Sequence, residues 1–391
     1  MDQDKYNTLM DALKGVPDPR KARGKRYAWW FLLALICTAL VSGQQTGHAM
    51  AHWITLHATE LLERLRPARA SVPSESTIRR TLRRINVQKL EQQLASYGQH
   101  LASEATEAGT ITTATGEVLQ GQAIDGKELR GVRAHGQPLC LVSLVQHGSG
   151  IVLTQTEVDQ KSNEITAVPQ LLEGRELGGT ITTMDALLTQ RTLAQQILDQ
   201  NGHYLMVVKQ NQPELYKAIA LLFDQPPWLE HEKAEEYEVY RTYDKGHGRL
   251  ETRILESSMT LCDYLDWPGV GQVMRRRCKR VIVKTGEVST KTTYGITSLR
   301  PTKAGAAELE ELWRGHWTIE NRVHRVRDVT MGEDAGQIHT GHAAQALAAL
   351  RNSVISLLRW KGWSNIADGL RHYGASVPRA LELIGAAPAG L

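Results

Sequence analysis

Apolar side chains recur at three- and four-residue steps from Glu308 to Asp334, where Leu309, Leu312, Trp313, His316, Ile319, Val323 and Val326 fall on one stripe. That period predicts an amphipathic helix with one face against a core and Glu320 on the edge of the face. A carboxylate there loses solvation and needs a cation, a donor or a metal to stay ionised; Arg327 or His324 one or two turns on is the plain partner. Tyr27 to Val41, YAWWFLLALICTALV, is apolar all round and predicts a buried helix. The run is about fifteen residues long, short of the roughly twenty that a bilayer span needs. It also starts too deep for a secretory signal, although Lys21, Arg23, Lys25 and Arg26 before it imitate one.

Around that helix the pattern stays helical. Residues 1 to 26 predict a short helix and a basic turn region broken by two prolines, and Thr46 to Leu65 continue as helix. In Ser71 to Ile85, Ser74 or Ser76 can cap a helix with Arg79, Arg80, Arg83 and Arg84 on one side and Ile78, Leu82 and Ile85 on the other. An arginine-faced helix after a turn, in a small all-helical domain, is the layout of a helix-turn-helix reader; a solvated basic face is the alternative. Residues 86 to 110 read as a linking helix that frays into SEATEAGT.

The period then changes. QAIDGK, LCLVSLVQ, IVLTQTEV, TITTMDALLTQ and HYLMVVK predict five strands, with helices near Asn163 to Glu173, after Asp185, and in PELYKAIALLF. Three strands in a meander followed by strand–helix alternation match the element order of an RNase H-like α/β domain. Polar strand-like sequence from 228 to 300 interrupts it, and Gly341 to Trp360 is a strong apolar helix. The expected division is a helical basic domain at 1–110, core at 111–227, a β-rich insertion at 228–302, the second part of the core with the Glu320 helix at 303–362, and a helical appendage at 363–391.

Charge sharpens this division. The chain carries a net +4, but residues 1 to 90 hold fifteen Lys/Arg against seven Asp/Glu, or +8, leaving about −4 for the rest. A basic first domain points to a polyanion partner. Cys37, Cys140, Cys262 and Cys278 show no C-x-x-C spacing and read as reduced thiols in a cytoplasmic protein.

Singly, Asp125 before Gly126 reads as a turn residue and Asp185 as a helix cap. Together they end the first and fourth strands, which neighbour each other in this topology, and the late helix should bring Glu320 beside them. Three clustered carboxylates require cations, and hard oxygen ligands imply two Mg2+ or Mn2+ ions acting on a phosphodiester. Asp328 and Glu333 are the first substitutes, ahead of Asp159 and Asp334. Lys127 and Arg130 are candidates for phosphate contact, with a surface pair between Lys127 and Glu128 as the alternative. Lys209, Gln210 and Asn211 could hold DNA, and His247, Arg249, Arg275, Arg276 and Arg277 could form a basic surface on the insertion. His339 and His342 resemble a metal pair only by spacing and read as solvent-facing.

The motifs AIDGKELRG, TTMDALLTQ with YLMVVKQNQPELY, DKGHGRLETR, and RGHWTIEN followed by GED, in this order, resemble the DDE transposases of bacterial insertion sequences. The nearest branch also contains the H-repeat-associated proteins of Rhs elements, and the likeness extends to WWFLLALICTALVSG. The resemblance implies an RNase H-like core with a β-strand insertion, a divalent-metal triad of Asp125, Asp185 and Glu320, and cut-and-paste movement of an element bounded by inverted repeats. Where some relatives carry Tyr, Arg and a basic residue around the Glu, this chain has Trp313, His316 and Arg327. The expectation is a transposase that binds double-stranded DNA as a homodimer in the bacterial cytoplasm, at the nucleoid. A nuclease without strand transfer and a non-catalytic DNA-binding regulator are the alternatives.

Overall fold

The computed structural model describes residues 6–22, 25–105, 108–134, 137–159, 163–226, 237–336, 338 and 340–386. In chain order, helices α1 (Leu9–Lys14), α2 (Trp29–Val41), α3 (Gly47–Leu56), α4 (Ala58–Leu65), α5 (Glu75–Arg84) and α6 (Val87–Glu104) come first. Strands β1 (Thr110–Thr112), β2 (Val118–Ala134), β3 (Gln137–Gln146) and β4 (Val152–Glu157) come next, then α7 (Glu164–Leu172), β5 (Thr180–Met184), α8 (Arg191–Asp199), β6 (His203–Val208) and α9 (Pro213–Asp224). Four strands, β7 (Tyr237–Gly246), β8 (Arg249–Ser258), β9 (Gln272–Ile282) and β10 (Val288–Thr297), precede α10 (Ala306–Gly315). Two π-helical turns, Ile319–His324 and Val326–Thr330, lead to α11 (Ala343–Trp360), α12 (Ile366–Gly374) and α13 (Val377–Leu383).

The chain packs as two compact units. Unit 1 takes Met1–Thr106, Gly126–Asn163 and Ile319–Leu391; unit 2 takes Glu107–Asp125 and Glu164–Thr318. In unit 1, α2 buries every side chain except that of Trp30, as an all-apolar helix must. Phe31, Leu35 and Leu40 of α2 share a core with Ile78 and Leu82 of α5, Leu90 and Leu101 of α6, and Leu347, Leu350 and Val354 of α11. The helix expected across Thr46 to Leu65 is divided at His57, whose ring lies 4.7 Å from that of Trp53. Among the described residues no helix is long and apolar enough to cross a membrane. Strands β4, β3 and β2 hydrogen-bond in that order.

In unit 2, the start of β2 pairs in parallel with β5, and β5 in parallel with β6. Strand β10 joins β6 antiparallel, with Tyr294 opposite Val208, and β9, β8 and β7 continue outward. The strands expected as an insertion therefore extend the sheet of this unit. Helix α10 packs on β7 and β8, and Trp313 reaches the sheet at Gly295, where a Cβ would lie 2.6 Å from its ring.

The continuous α-helix expected from Glu308 to Asp334 is α-helical only to Gly315, before the chain enters the two π-helical turns. Its apolar stripe is nonetheless buried: Leu309, Leu312, Trp313, Ile319, Val323 and Val326 are each at most 9% exposed. All four cysteines are thiols outside any disulfide, and burial pushes the Cys37 thiol up to about 12.

Candidate active site

Within unit 2, the parallel register runs from Gln120 opposite Thr180 to Ile124 opposite Met184. Asp125, inside β2, and Asp185, just past the end of β5, each follow the last pair, on strands that run about 4.8 Å apart. Gln122 to Ile124 and Ile181 to Met184 are buried, and each aspartate is the first residue of its run to reach solvent. Asp125 does not end its strand or form a turn, because the alternation of buried Lys127 and Leu129 with exposed Glu128 and Arg130 carries β2 on to Ala134. Asp185 precedes the 3-10 turn Ala186–Leu188 and makes no side-chain bond that would cap it at the second or third position.

The carboxyl of Asp185 is held below the usual range. Partial burial opposes its ionisation, but the Ala186 N–H, Lys209 and His316 outweigh that cost. Lys209 Nζ donates to Asp185 Oδ1 at 3.2 Å, and both side chains are about half exposed. Asn211 donates to the Ala186 carbonyl at 2.7 Å and braces the same turn. His316, at the end of α10, has Nδ1 3.0 Å from Thr183 Oγ1, and the Thr183 hydroxyl donates to the Gln122 carbonyl at 3.1 Å. Both contacts form together when His316 Nδ1 carries the proton, since a hydroxyl has one hydrogen to give. Burial lowers the pKa of His316, against the opposing pull of Asp185 and a Thr183 backbone contact, and favours neutral imidazole.

Within unit 1, Glu320 is exposed on the first π-helical turn, between buried Ile319 and Val323. Arg322 fixes that turn: Nη1 donates to the carbonyls of Gly148 and Ser149, and the side chain fills the space a Cβ of Gly150 would take. Arg327 is wholly buried and donates to Glu333 Oε2 at 2.8 Å, while Arg351 donates to Glu333 Oε1 at 3.2 Å and to the Gln45 carbonyl at 3.2 Å. Burial opposes ionisation of Glu333, but the two guanidiniums overcome it and lower its pKa. Asp328 accepts from Lys127 at 2.7 Å and Asp334 from the Arg130 N–H at 3.2 Å, so Asp328, Glu333 and Asp334 are each engaged in ion pairs or backbone bonds. Among the described residues, no three His, Cys, Asp or Glu side chains are gathered closely enough to hold a metal ion.

The candidate DNA contacts divide by exposure. Arg79, Arg80, Arg83 and Arg84 are exposed on α5 while Ile78, Leu82 and Ile85 are buried, as the pattern predicts. Arg130 is exposed, and His247 lies exposed in the β7–β8 turn with φ +50°. Lys127 is buried against Asp328 and neither pairs with Glu128 at the surface nor faces solvent. Arg275 is committed to Glu256 and the Phe223 carbonyl, and Arg276 to Glu310 at 2.7 and 2.8 Å. Arg327 is likewise internal, and Arg249 pairs with Glu251 at 2.7 Å. Arg275, Arg276 and Arg327 serve the fold, because a buried cation must keep its anion, while half-exposed Arg249 shares Glu251 with Arg253 and Arg280. His342 is exposed, and His339 lies outside the described residues. Sequence reasoning gave no role to Thr183, Gln122 or Arg322; alternation along β2 and β5 and the position of Arg322 two residues after Glu320 are the only signals they offer.

Comparison with known proteins adds a family to this geometry. Residues 118–357 match the family described as "Transposase DDE domain", and residues 10–97 the one described as "DDE_Tnp_1-associated". The chain is 29% identical over 369 residues to the Escherichia coli O157:H7 protein named "Putative transposase YncI", covering 90% of this chain and 87% of that one. It is 28% identical over 360 residues to "H repeat-associated putative transposase YhhI" of Escherichia coli K12, covering 90% of each. "Uncharacterized protein in dhlA 3'region" of Xanthobacter autotrophicus is 29% identical over 295 residues, 72% of this chain and 92% of that one.

Proposed function

The chain belongs to the transposase DDE domain family, and from that premise we propose that it is the transposase of an insertion sequence, cutting and rejoining DNA at the terminal inverted repeats of its element. The observation that carries the chemistry is the parallel register of β2 on β5, whose last pair, Ile124 opposite Met184, is followed by Asp125 in β2 and by Asp185 just past the end of β5. An RNase H-like core is the fold that this reading requires. The strand order β4-β3-β2, with β3 and β4 antiparallel, and the parallel β2-β5-β6 pairing support it.

The donor set suits a hard divalent cation. Asp185 is kept ionised, and its present counter-ion is the half-exposed Lys209 ammonium. In this reading Asp125, Asp185 and Glu320 are the ligands. Two Mg2+ or Mn2+ ions, when bound, supply charge for activating a water or a 3′ hydroxyl and for stabilising the leaving oxygen. The protein's own part is positioning. Buried runs on β2 and β5 fix the two aspartates, the His316–Thr183–Gln122 chain ties α10 to those strands, and Arg322 and the Arg327–Glu333–Arg351 cluster hold the turn that bears Glu320. Exposed arginines of α5, with Arg130, Lys209 and His247, meet DNA phosphates; Lys127, Arg249, Arg275, Arg276 and Arg327 do not. Two ends are brought together by a homodimer, in the bacterial cytoplasm at the nucleoid.

The test uses a labelled duplex carrying the element's own inverted repeat, with Mg2+. The native chain is expected to nick it and produce joined strands. Asp185→Asn is expected to bind the duplex equally well and to cleave it more than ~100-fold more slowly, beyond what losing an outer metal partner costs. Cleavage without joined products would reduce the reading to a nuclease, and binding without cleavage to a regulator.

A further inference from the structure

The strands β7 to β10 have two faces of unequal charge. Residues opposite one another in an antiparallel pair point the same way, and neighbours along a strand point opposite ways. One face therefore carries Asp244, Glu251, Arg253, Arg276 and Arg280, together with Arg249. Apart from exposed Lys291, its charges are mutually satisfied: Arg253 bonds Asp244 and Glu251, Arg249 and Arg280 bond Glu251 at 2.7 and 2.9 Å, and Arg276 bonds Glu310 of α10.

The other face reads in rows across the four strands: Arg241, Ile254, Arg277, Thr292; then Tyr243, Thr252, Lys279, Thr290; then Lys245, Leu250, Val281, Val288. Four of these positions are cationic and none is acidic. Arg241, Tyr243, Lys245, Arg277 and Lys279 are exposed, Tyr243 to 70%. No carboxylate among the described residues pairs with Arg241, Lys245 or Lys279, and only Arg277 leans toward one, Glu256 at 3.2 Å. Helix α9 covers the sheet nearer the core, where Tyr216 packs on Tyr294 and Arg275 on Phe223, and stops short of these rows. What remains is an open patch about 14 Å on a side.

We propose that this face of the outer sheet is a phosphate-backbone contact for double-stranded DNA, with Arg241, Lys245 and Lys279 as its main cations and Tyr243 among them. The inference rests on the reading of the chain as a DNA-handling enzyme and moves the DNA contact expected on these strands to a different set of cations. Charge complementarity selects the occupant. Unpaired cations without carboxylates suit a polyanion, whereas two copies of the face brought together would repel. Threonine hydroxyls and a tyrosine beside the cations are ordinary donors to phosphate oxygens.

The test is fluorescence anisotropy of the full chain with a labelled duplex of arbitrary sequence, in EDTA, over a series of salt concentrations. Combined Arg241→Ala, Lys245→Ala and Lys279→Ala is expected to weaken binding at least 10-fold and to flatten the slope of log affinity against log salt by about three, near one per lost phosphate contact. Lys291→Ala, exposed on the ion-paired face, is expected to leave the slope unchanged. A native slope in the triple variant overturns the proposal, and so does a variant that loses DNA-free self-association in sedimentation while keeping the slope. Circular dichroism verifies that the triple variant is folded. A chain that binds through this face yet never cuts its inverted repeats would keep this inference and remove the transposase reading; a chain that cuts while the triple variant keeps its slope would do the reverse.

Discussion

Glu91 is a carboxyl with almost no water around it. It accepts from Gln155 Nε2 at 2.7 Å and from Gln345 Nε2 at 3.1 Å, with Asn352 donating to Gln155 at 2.6 Å and a cavity of about 20 Å³ alongside. Burial, only partly offset by the two amides, pushes its pKa up to about 7. An unfolded chain ionises glutamate near ~4.3, so between the two values the folded state holds the extra proton and stability falls as pH rises. The penalty vanishes below the unfolded value and is complete above the folded one, on the order of 3 kcal/mol. Glu91→Gln keeps a carbonyl for both amides and removes the ionisation. Thermal unfolding followed by circular dichroism should show a raised midpoint at pH 8 and a much smaller gain at pH 5; an equal gain at both would refute the account. Glu91 was open to detection, because it falls on the helical stripe of Val87, Leu90, Leu94 and Leu101 where a carboxyl is out of place. Lys127 and Arg276 were not, since Asp328 and Glu310 lie 201 and 34 residues away and local pattern names no distant partner. That Asp125 and Asp185 belong to neighbouring strands was legible because GQAI and TITTM before them are short strand-forming runs, whereas the continuation of β2 past Asp125 was not.

Helix α5 shows how far periodicity carries at the scale of an element. Its buried and exposed sides are those read from the sequence, yet the four arginines differ. Arg79 is bonded to Glu75 at 2.7 Å, and the stem of Arg83 lies where a Cβ of Gly341 would be. Arg80 and Arg84 remain as the cations best placed for a phosphate. Arg80→Ala with Arg84→Ala should flatten the salt dependence of duplex binding by about two while leaving the thermal midpoint close to native. Leu82→Ala, on the opposite side and 0% exposed, should cost roughly 2–5 kcal/mol of stability. Denaturation and anisotropy on the same two variants separate these outcomes; loss of stability in the arginine variant would mean that the guanidiniums hold the helix. The π-helical turns after α10 were beyond the sequence. The steps of four and three residues from Ile319 to Val323 and Val326 fit an α-helix, and apolar spacing does not report backbone bonds that run five residues back.

At the scale of the whole molecule, composition separates a basic helical segment from the rest of the chain, and packing does not. Residues 1–110 read as a separate basic helical domain. Yet α11, which begins only at Ala343, shares one core cluster with α2, α5 and α6 inside unit 1. Leu350, Val354, Ile355 and Leu358 are fully buried there, and α13 closes the same cluster with Ala380 and Leu381. Removing residues 1–110 would bare those side chains, at about 1.5–3 kcal/mol for each large one, against a total stability of about 5–15 kcal/mol for a typical domain. A fragment of residues 111–391 should therefore accumulate as aggregate and show no cooperative thermal transition. A chain lacking residues 363–391 should unfold well below the full protein, since α12 and α13 also rest on α2. The decisive measurement is size-exclusion chromatography with thermal denaturation of both fragments. A monodisperse 111–391 fragment with a sharp transition would show that α11 finds its core without the helices that precede the sheet.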